Sequence, residues 1–343
     1  MTAARSMLVT GGAGFIGSAF VEAALADGHR VVVLDALTYA GHEESVPKHE
    51  RCRLVVGNIC DRELVGDLLR TEKIDAIVNF AAESHVDRSI DAPGDFVDTN
   101  IVGTFRMLQA SLAHWKSLDT AEQSRFRYLQ ISTDEVYGAL GETGQFSETS
   151  PMSPNSPYAA SKAAGDHLVR AWYHTYKLPT LTTNCSNNYG PRQFPEKLIP
   201  RLISCALAGE PLPIYGKGLQ VRDWIHVEDH SRGVLLALER GTPGQTYCFG
   251  GASERANIDV AQRICAILDE LRPRGDGKSY ASQMQFVTDR PGHDFRYAID
   301  DTRARTELGF TRRHTFEGGL VATIEWYLGN TEWCHAVTRR RHA

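Results

Sequence analysis

The first 132 residues alternate between short apolar runs and longer amphipathic segments. The apolar runs predict strands at residues 7–10, 31–35, 53–56, 76–80 and 127–132, and the amphipathic segments predict helices at 15–27, 62–70 and about 95–114. Strands that alternate with helices are typical of a parallel, doubly wound sheet. The sequence therefore predicts an α/β fold built on such a sheet.

The second half of the chain has shorter elements separated by prolines. The prolines lie at positions 191, 195, 200, 211, 213, 243, 273 and 291. A smaller mixed α/β lobe is predicted there. We expect residues 1–190 to form the main domain and residues 191–343 to form mainly the smaller lobe, with some later segments returning to the main domain.

Composition and charge narrow the class of protein. The chain has 343 residues, of which 42% are hydrophobic and 23% are charged, so it is long enough for a large domain and a smaller companion. Its net charge of -5 supplies no general attraction for nucleic acid or anionic lipid. No run of about 18 apolar residues and no leader pattern occurs, so we expect no membrane association and a cytoplasmic location.

The seven cysteines are widely scattered along the chain. They include no Cys-x-x-Cys pair and no Cys/His spacing of the kind that binds zinc. We therefore expect reduced cysteines that serve in packing, and no metal site.

A glycine-rich turn joins the first predicted strand to the first predicted helix. Gly11, Gly14 and Gly17 are spaced three apart, where backbone N–H groups and the helix N-terminus can hold a pyrophosphate. Asp35 ends the second strand, where a carboxylate can bind ribose hydroxyls and repels a 2′-phosphate, so NAD is favoured over NADP. Further cofactor contacts are expected from Phe15, Ile16, Leu37, Thr38, Asn58, Ile59, Ala81, Ala82, Ser84, Asn100, Tyr158, Lys162 and Asn188.

Tyr158 and Lys162 are four residues apart, on one face of a helix whose start is favoured by Ser156 and Pro157. A nearby cation favours phenolate over phenol, so Tyr158 could take a proton from an alcohol as its hydride leaves. An isolated pair of this kind is also compatible with an amphipathic surface helix. With the glycine turn upstream and Thr133 at a strand end, the pattern resembles the extended branch of the short-chain dehydrogenase/reductase superfamily, which implies a Rossmann fold.

Two adjacent carboxyl groups, Asp134 and Glu135, follow Thr133 directly. Oxidation of an alcohol needs neither of them. Elimination of water needs an acid for the leaving hydroxyl and a base for the neighbouring carbon, so the pair indicates a second reaction step. The alternative is a helix N-terminus that carries acidic side chains for its dipole alone.

Longer motifs closely resemble those of the dTDP-glucose 4,6-dehydratases, from residue 7 to about 328. They are FAAESHVDRSI at 80–90, TDEVYG at 133–138, NNYGP at 187–191, FPEKLIP at 194–200, VRDW at 221–224 and RPGHD at 290–294. The resemblance implies that Tyr158 and Thr133 handle O4 of the sugar. It also implies that Glu135 works on C5 and that Asp134 serves the hydroxyl leaving C6.

The same resemblance implies a nucleotide-sugar site and a homodimer. The implied substrate residues are Ser84, Thr133, Asp134, Glu135, Asn187, Lys197, Leu198, Pro213, Tyr215, Arg222, Asn257, Arg290, His293 and Tyr297. Helices near 95–114 and 157–176 would form the dimer interface. Asn58 departs from the family, which usually has aspartate there, so weaker but retained NAD binding is expected. His226 stands where tyrosine is common, and His42 and Glu43 stand where asparagine and leucine are frequent.

The implied reaction has three steps: hydride transfer from C4 to NAD+, loss of water across C5 and C6, and return of the hydride to C6. NAD+ ends as it began, so tight retention is expected. One alternative is a nucleotide-sugar 4-epimerase, or another extended-branch enzyme that acts on a UDP-sugar. An alternative of another class is a non-enzymatic NAD-binding regulatory protein.

Overall fold

A parallel sheet of seven strands forms the centre of the computed structural model, which describes residues 4–289 and 293–339. The strands are β1 (Ser6–Thr10), β2 (Arg30–Asp35), β3 (Cys52–Val56), β4 (Ala76–Asn79), β5 (Arg127–Thr133), β6 (Thr180–Cys185), β7 (Asn187–Tyr189), β8 (Leu212–Tyr215), β9 (Val221–His226), β10 (Thr246–Phe249), β11 (Glu254–Ala256) and β12 (Met284–Val287). The central sheet has the order β10-β6-β5-β4-β1-β2-β3.

Helices flank this sheet and fill the second half of the chain. They are α1 (Phe15–Ala26), α2 (Arg62–Thr71), α3 (Val86–Asp91), α4 (Pro93–Phe96), α5 (Thr104–Ser117), α6 (Thr120–Arg125), α7 (Pro157–Tyr176), α8 (Leu198–Ala208), α9 (Val227–Arg240), α10 (Asn257–Leu271), α11 (Phe316–Gly329) and α12 (Thr331–Arg339). Short 3-10 turns lie at Glu43–Ser45, Asp134–Tyr137 and Tyr280–Gln283, and π turns lie at Val97–Gly103 and Ala304–Leu308.

The central sheet is buried on both faces. Helices α1 and α9 pack with it in one hydrophobic core, and helices α2, α5 and α7 pack with it in another. This arrangement explains why β1, β2 and β4 are nearly continuous apolar runs, as is typical of strands buried on both faces. The predicted parallel, doubly wound α/β sheet is confirmed. None of the helices in the described ranges combines the length and apolar character that a membrane span needs.

The second half builds a smaller lobe and also returns to the sheet. The lobe contains a sheet of order β11-β9-β7, the pair β12-β8, and a core in which α8, α10 and α11 meet. Strand β10 leaves this lobe and pairs in parallel with β6 at the edge of the central sheet. Sequence order reverses between β1 and β4, so the ligand crevice of such a fold is expected at their carboxyl ends.

Candidate active site

One crevice crosses the carboxyl ends of β1, β2, β4 and β5. The glycine turn forms one end of it, and the start of α7 forms the other. Among the predicted site residues it is lined by Gly11, Gly14, Phe15, Ile16, Gly17, Asp35, Thr38, Asn58, Ile59, Ala81, Ala82, Ser84, Thr133, Asp134, Glu135, Tyr158, Lys162, Asn187, Asn188 and Lys197. The predicted cofactor and catalytic residues therefore meet largely in a single site.

The glycine turn is shaped by close backbone approaches. Gly11 has a φ of +66°, and a Cβ there would lie 2.6 Å from the amide nitrogen of Ala81. A Cβ on Gly17 would lie 2.2 Å from the carbonyl oxygen of Gly11. Gly14 is the N-cap residue of α1 and has no side chain that could bond to the first helical turn. The backbone N–H groups of that turn therefore face the crevice. This cradle fits the pyrophosphate of a dinucleotide.

Asp35 is held by the turn that faces it. Its carboxylate accepts hydrogen bonds from the backbone N–H groups of Ala13 and Leu37, both at 2.9 Å. Burial raises the pKa of Asp35 above its usual value, and the two backbone donors oppose that shift. Asp35 also lines the crevice, where its carboxylate can meet the ribose hydroxyls of NAD.

Tyr158 and Lys162 lie on the first turns of α7. The helix begins as predicted, because the Ser156 hydroxyl accepts a hydrogen bond from the Ala159 N–H at 3.1 Å and Pro157 occupies the first turn. Lys162 is 5% exposed, and its Nζ donates to the carbonyl oxygen of Ile131 at 2.7 Å. The strand end of β5 and the face of α7 thus carry the reacting groups together.

Burial adds an effect on Tyr158 that the sequence did not predict. Burial, followed by the charge of Glu135, raises the pKa of Tyr158 well above its usual value. Burial also lowers the pKa of Lys162. In the protein alone, desolvation and a neighbouring carboxylate therefore favour the phenol form, and the expected effect of the Lys162 cation on Tyr158 stays a prediction.

Asp134 and Glu135 begin the 3-10 turn that follows β5. The Thr133 hydroxyl caps this turn by accepting from the Glu135 N–H at 3.3 Å. Asp134 is only 2% exposed, and burial, followed by the charge of Glu135, raises its pKa well above the usual value. An acid placed only for a helix dipole would be solvated, whereas burial inside the crevice favours the neutral form of this one. Asp134 therefore has the properties of a general acid.

A further set of polar side chains begins near Glu135. The Arg222 guanidinium lies 4.4 Å above the ring of Tyr297, and it donates to the carbonyl oxygen of Asp294 at 2.9 Å. Burial, followed by the charge of Glu135, raises the pKa of Tyr297. His293 shares a hydrogen bond of 2.7 Å with Asp289, and its ring lies edge to face with Tyr215. These side chains extend the site toward the smaller lobe.

Comparisons with known proteins agree on one family. A family model described as GDP-mannose 4,6 dehydratase matches residues 8–323. A dTDP-glucose 4,6-dehydratase of Xanthomonas campestris pv. campestris is 58% identical over 333 residues, which cover 96% of this chain and 95% of that protein. The chain belongs to the dTDP-glucose 4,6-dehydratase family.

Solved structures place this family member among related folds. The dTDP-glucose 4,6-dehydratase DesIV of Streptomyces venezuelae, crystallised with NAD and TYD bound, has a TM-score of 0.87 and 43% identity, over 97% of this chain and 99% of that one. A UDP-glucose 4-epimerase of Thermus thermophilus, in complex with NAD, has a TM-score of 0.84 and 28% identity, over 95% and 99%. The backbone is thus common to dehydratases and epimerases, and side chains have to distinguish them.

Some residues predicted for the dehydratase site lie outside the crevice lining. The amide of Asn100 is bonded to the backbone of Glu83 at 2.9 and 3.0 Å and to the Ser161 hydroxyl at 2.8 Å, so it braces the crevice wall instead. Leu37 contributes its backbone N–H to Asp35. Seven predicted substrate residues are placed beyond the crevice lining: Leu198, Pro213, Tyr215, Arg222, Asn257, His293 and Tyr297. Arg290 falls outside the described residues.

Sequence reasoning missed a buried carboxyl group behind Lys162. Asp166 accepts from the Ser132 hydroxyl at 2.6 Å and from the Asn184 amide at 3.4 Å. Burial raises the pKa of Asp166 to about 6. The available signal was its position four residues after Lys162, on the same helix face. Glu196 was also missed as a crevice residue, although it lies inside the 194–200 motif.

Proposed function

We propose that the chain converts dTDP-glucose to dTDP-4-keto-6-deoxyglucose and water, using NAD+ that is regenerated within each turnover. The observation that carries this proposal is the buried Asp134, with Glu135, in the same crevice as Tyr158 and Lys162. A dehydrogenase or epimerase has no step that needs this added acid and base. The reaction class is therefore that of a hydro-lyase.

The cofactor is assigned to the glycine-turn end of the crevice. When bound, NAD+ accepts the hydride from C4 and returns it to C6. The backbone cradle of the first turn of α1 would hold the pyrophosphate, and Asp35 would bind the adenosine ribose. We assign residues 1–190 mainly to NAD binding and residues 191–343 mainly to the nucleotide sugar, with β10 returning to the first domain. Purified protein is expected to carry NAD, because turnover does not require its release.

Tyr158 and Thr133 act on O4 in the first step. As the hydride leaves C4, Tyr158 accepts the O4 proton and the C4 alcohol becomes a ketone. Because burial holds the pKa of Tyr158 high, the phenolate needs positive charge nearby, and Lys162 on the next helical turn supplies one such charge. Thr133 holds O4 in place with its hydroxyl.

Glu135 and Asp134 eliminate water in the second step. The C4 ketone makes the C5 proton acidic, and Glu135 accepts that proton. Asp134, kept neutral by burial, donates its proton to the C6 hydroxyl, so the C6–O bond breaks and water leaves. The product is an unsaturated ketone, which becomes saturated when C6 receives the hydride and Glu135 returns its proton to C5.

The proton balance requires one further transfer. At the end of turnover Tyr158 has gained a proton and Asp134 has lost one. Thr133 lies between them, since its hydroxyl donates to Asp134 Oδ1 at 3.3 Å and its side chain is a hydrogen-bonding neighbour of Tyr158. A shift of one proton from Tyr158 through the Thr133 hydroxyl to Asp134 restores both residues.

The diphosphate and sugar are assigned to the crevice end that opens on the smaller lobe. Arg222 and His293 supply cationic and hydrogen-bonding groups suited to two phosphates, and Lys197 supplies an ammonium at the crevice itself. Lys197 is held there because its Nζ donates to the Ser84 carbonyl oxygen at 2.8 Å. The remaining assigned substrate residues are Ser84, Asn187, Leu198, Pro213, Tyr215, Asn257, Arg290 and Tyr297.

A single incubation tests the proposed function. dTDP-glucose is added to purified protein without any external reductant, and the product is examined by mass and by ultraviolet absorbance in alkali. A 4-keto product that has lost one water is expected. A C4 epimer of unchanged mass would instead favour the 4-epimerase alternative. Unchanged sugar with bound NAD would favour the regulatory protein.

We also propose a homodimer, which adds no residue to the chemistry. Three exposed apolar side chains, Ile90, Val97 and Val102, lie on helical segments that pack against α7. Tyr176 is exposed at the end of α7 itself. Light scattering at micromolar concentration should give the mass of two chains, and Val97→Arg should give one. A single-chain mass for the wild type would contradict the proposal.

A cytoplasmic location is proposed from cysteine chemistry. The seven cysteines are all free thiols in the structure, which suits a reducing compartment. Cell fractionation should recover the protein with the cytoplasm, and recovery from an oxidising compartment would contradict this.

A further inference from the structure

Two histidines that the dehydration does not use lie against each other at the start of α9. His226 is the last residue of β9 and is 5% exposed. His314 lies in the segment that precedes α11, and the two rings stack with centroids 4.0 Å apart. Glu228, in the first turn of α9, points its carboxylate at the same place.

The three side chains lie close together, and the stacked rings have to turn before both imidazole nitrogens can face one ion. His226, Glu228 and His314 each offer a ligand atom, and these atoms all lie within 4.8 Å of one another. His314 Nε2 and Glu228 Oε2 are 3.4 Å apart. Two ligands of a tetrahedral ion with bonds of about 2.0 to 2.1 Å are separated by about 3.3 to 3.4 Å, so this pair already has the required spacing. Rotation of the exposed Glu228 side chain can complete the approach to His226.

A buried carboxylate holds the backbone of one of these histidines. Asp229 is 2% exposed, and it accepts hydrogen bonds from the backbone N–H groups of Arg313 and His314 at 2.9 and 3.0 Å. Its Oδ1 also lies 3.3 Å from His314 Nδ1. This contact is a proximity without hydrogen-bond geometry, and a small turn of the His314 ring would give the carboxylate–histidine pairing that is usual behind metal-binding histidines.

We propose that His226, Glu228 and His314 form a divalent metal site of the zinc class, with Asp229 as the outer carboxylate and water completing the coordination. Two imidazoles and one carboxylate are ligands typical of Zn²⁺ and its neighbours, whereas Mg²⁺ and Ca²⁺ prefer oxygen ligands throughout. The ion would join the start of α9, which packs on the central sheet, to the segment before α11 in the smaller lobe. Its role is structural and separate from the dehydration.

Cobalt binding tests the site directly. Protein without a polyhistidine tag is treated with chelator, dialysed and titrated with Co²⁺ while the visible spectrum is recorded. The wild type is expected to bind one Co²⁺ per chain, with ligand-field bands, without a thiolate charge-transfer band, and with displacement by Zn²⁺. His314→Ala should weaken binding at least about 100-fold, because it removes a ligand as well as the group that would pair with Asp229. The unfolding temperature should rise with Zn²⁺ in the wild type only.

Three further variants keep the test decisive. Glu228→Gln changes an exposed side chain that the fold does not need, so it decides the question even if His314→Ala fails to fold. Glu325→Gln on the exposed face of α11 and His49→Ala in an exposed turn are matched controls and should bind Co²⁺ as the wild type does. Equal binding by wild type and Glu228→Gln, a thiolate spectrum, or no binding by the wild type would each overturn the proposal.

Discussion

One end of the crevice is formed mainly by backbone atoms, and the other end mainly by side chains. At the dinucleotide end the shape comes from the backbone, since Gly11 and Gly17 allow approaches that a Cβ would block. At the end where the reaction is proposed, the site consists mainly of buried ionisable side chains. Asp134, Tyr158 and Lys162 are each at most 8% exposed. A backbone site tolerates most side-chain changes around it, whereas a side-chain site depends on each group. We therefore expect large effects from substitutions of the glycines at one end and of the ionisable side chains at the other, and small effects from changes to the remaining residues around the glycine turn.

Loss of the Tyr158 hydroxyl should have the largest effect. Tyr158→Phe keeps the ring but removes the group that takes the O4 proton, so turnover of dTDP-glucose should fall toward the upper end of about 100- to 10,000-fold. Little reduced nicotinamide should appear, because the first hydride does not leave efficiently. Tyr280→Phe removes a buried phenol bonded to the Arg272 carbonyl in the smaller lobe and is the matched control. Comparable losses in both variants would point to a folding defect.

Glu135→Gln should fail at a later step. The variant keeps Tyr158, so C4 oxidation can proceed, but the C5 proton has no base. Turnover should fall by about 100-fold or more, while the absorbance of bound reduced nicotinamide rises on addition of substrate. Exchange of the C5 proton with solvent should slow in parallel. If Glu135→Gln turned over at close to the wild-type rate, Asp134 and Glu135 would serve only the helix dipole, and the 4-epimerase alternative would be favoured.

Asp166→Asn should change how stability depends on pH. Burial raises the pKa of Asp166 from 3.8 to about 6, so the folded protein holds its proton at pH values where the unfolded chain has lost it. The stabilising contribution of this group is therefore present below about pH 4 and is lost as pH rises through 6. The loss is on the order of 2 to 3 kcal/mol, and the amide variant should not show it.

Denaturant unfolding, measured in one buffer at about pH 4 and in another at neutral pH, tests that difference. The free energy of unfolding of the wild type should decline relative to Asp166→Asn between these two conditions, as the sign above requires. Asp67→Asn, on the exposed surface of α2, is the control. A wild type that gains stability relative to Asp166→Asn as pH rises would show that Asp166 is stabilised as a carboxylate.

Asn58→Asp should have the smallest effect. Asn58 Oδ1 accepts from the Cys60 N–H at 2.8 Å, and an aspartate can keep that bond. A charged acceptor for the adenine amino group should strengthen NAD binding by about 1 kcal/mol, or roughly five-fold in Kd. Calorimetric titration of NAD into cofactor-depleted protein measures the change. A change in the Kd of NAD above about 100-fold would contradict the expected difference between the two ends of the crevice.

Elements with strong local signals were predictable from the sequence. Strands β1 and β5 were predicted to within one residue at each end, because β1 is an apolar run and β5 carries apolar residues at Tyr128, Leu129 and Ile131 in the buried sheet. The start of α7 was predicted because Ser156 and Pro157 favour a helix N-terminus. The glycine turn and the Tyr158 helix face then followed, since each motif lies within one strand-turn-helix unit.

Features that depend on contacts between distant segments were not predictable. Asn100 was expected to contact the cofactor, but a π turn places it within bonding distance of Glu83 and Ser161. The burial that raises the pKa of Tyr158 was not predicted either, because the amount of burial is a property of the whole fold. His226 and His314 are far apart in the chain, and no spacing rule for metal ligands connects them.

The edge strand β10 has a consequence for the order in which the chain can fold. It pairs with β6, whose last residue precedes it by about sixty positions, and the smaller-lobe segments β7, β8 and β9 are made in between. During synthesis the central sheet therefore lacks its seventh strand until residue 249 has left the ribosome. Until then the β6 edge offers unpaired backbone groups, which other strands can occupy. Nascent chains stalled before β10 should consequently aggregate or recruit chaperones, whereas chains stalled after it should not.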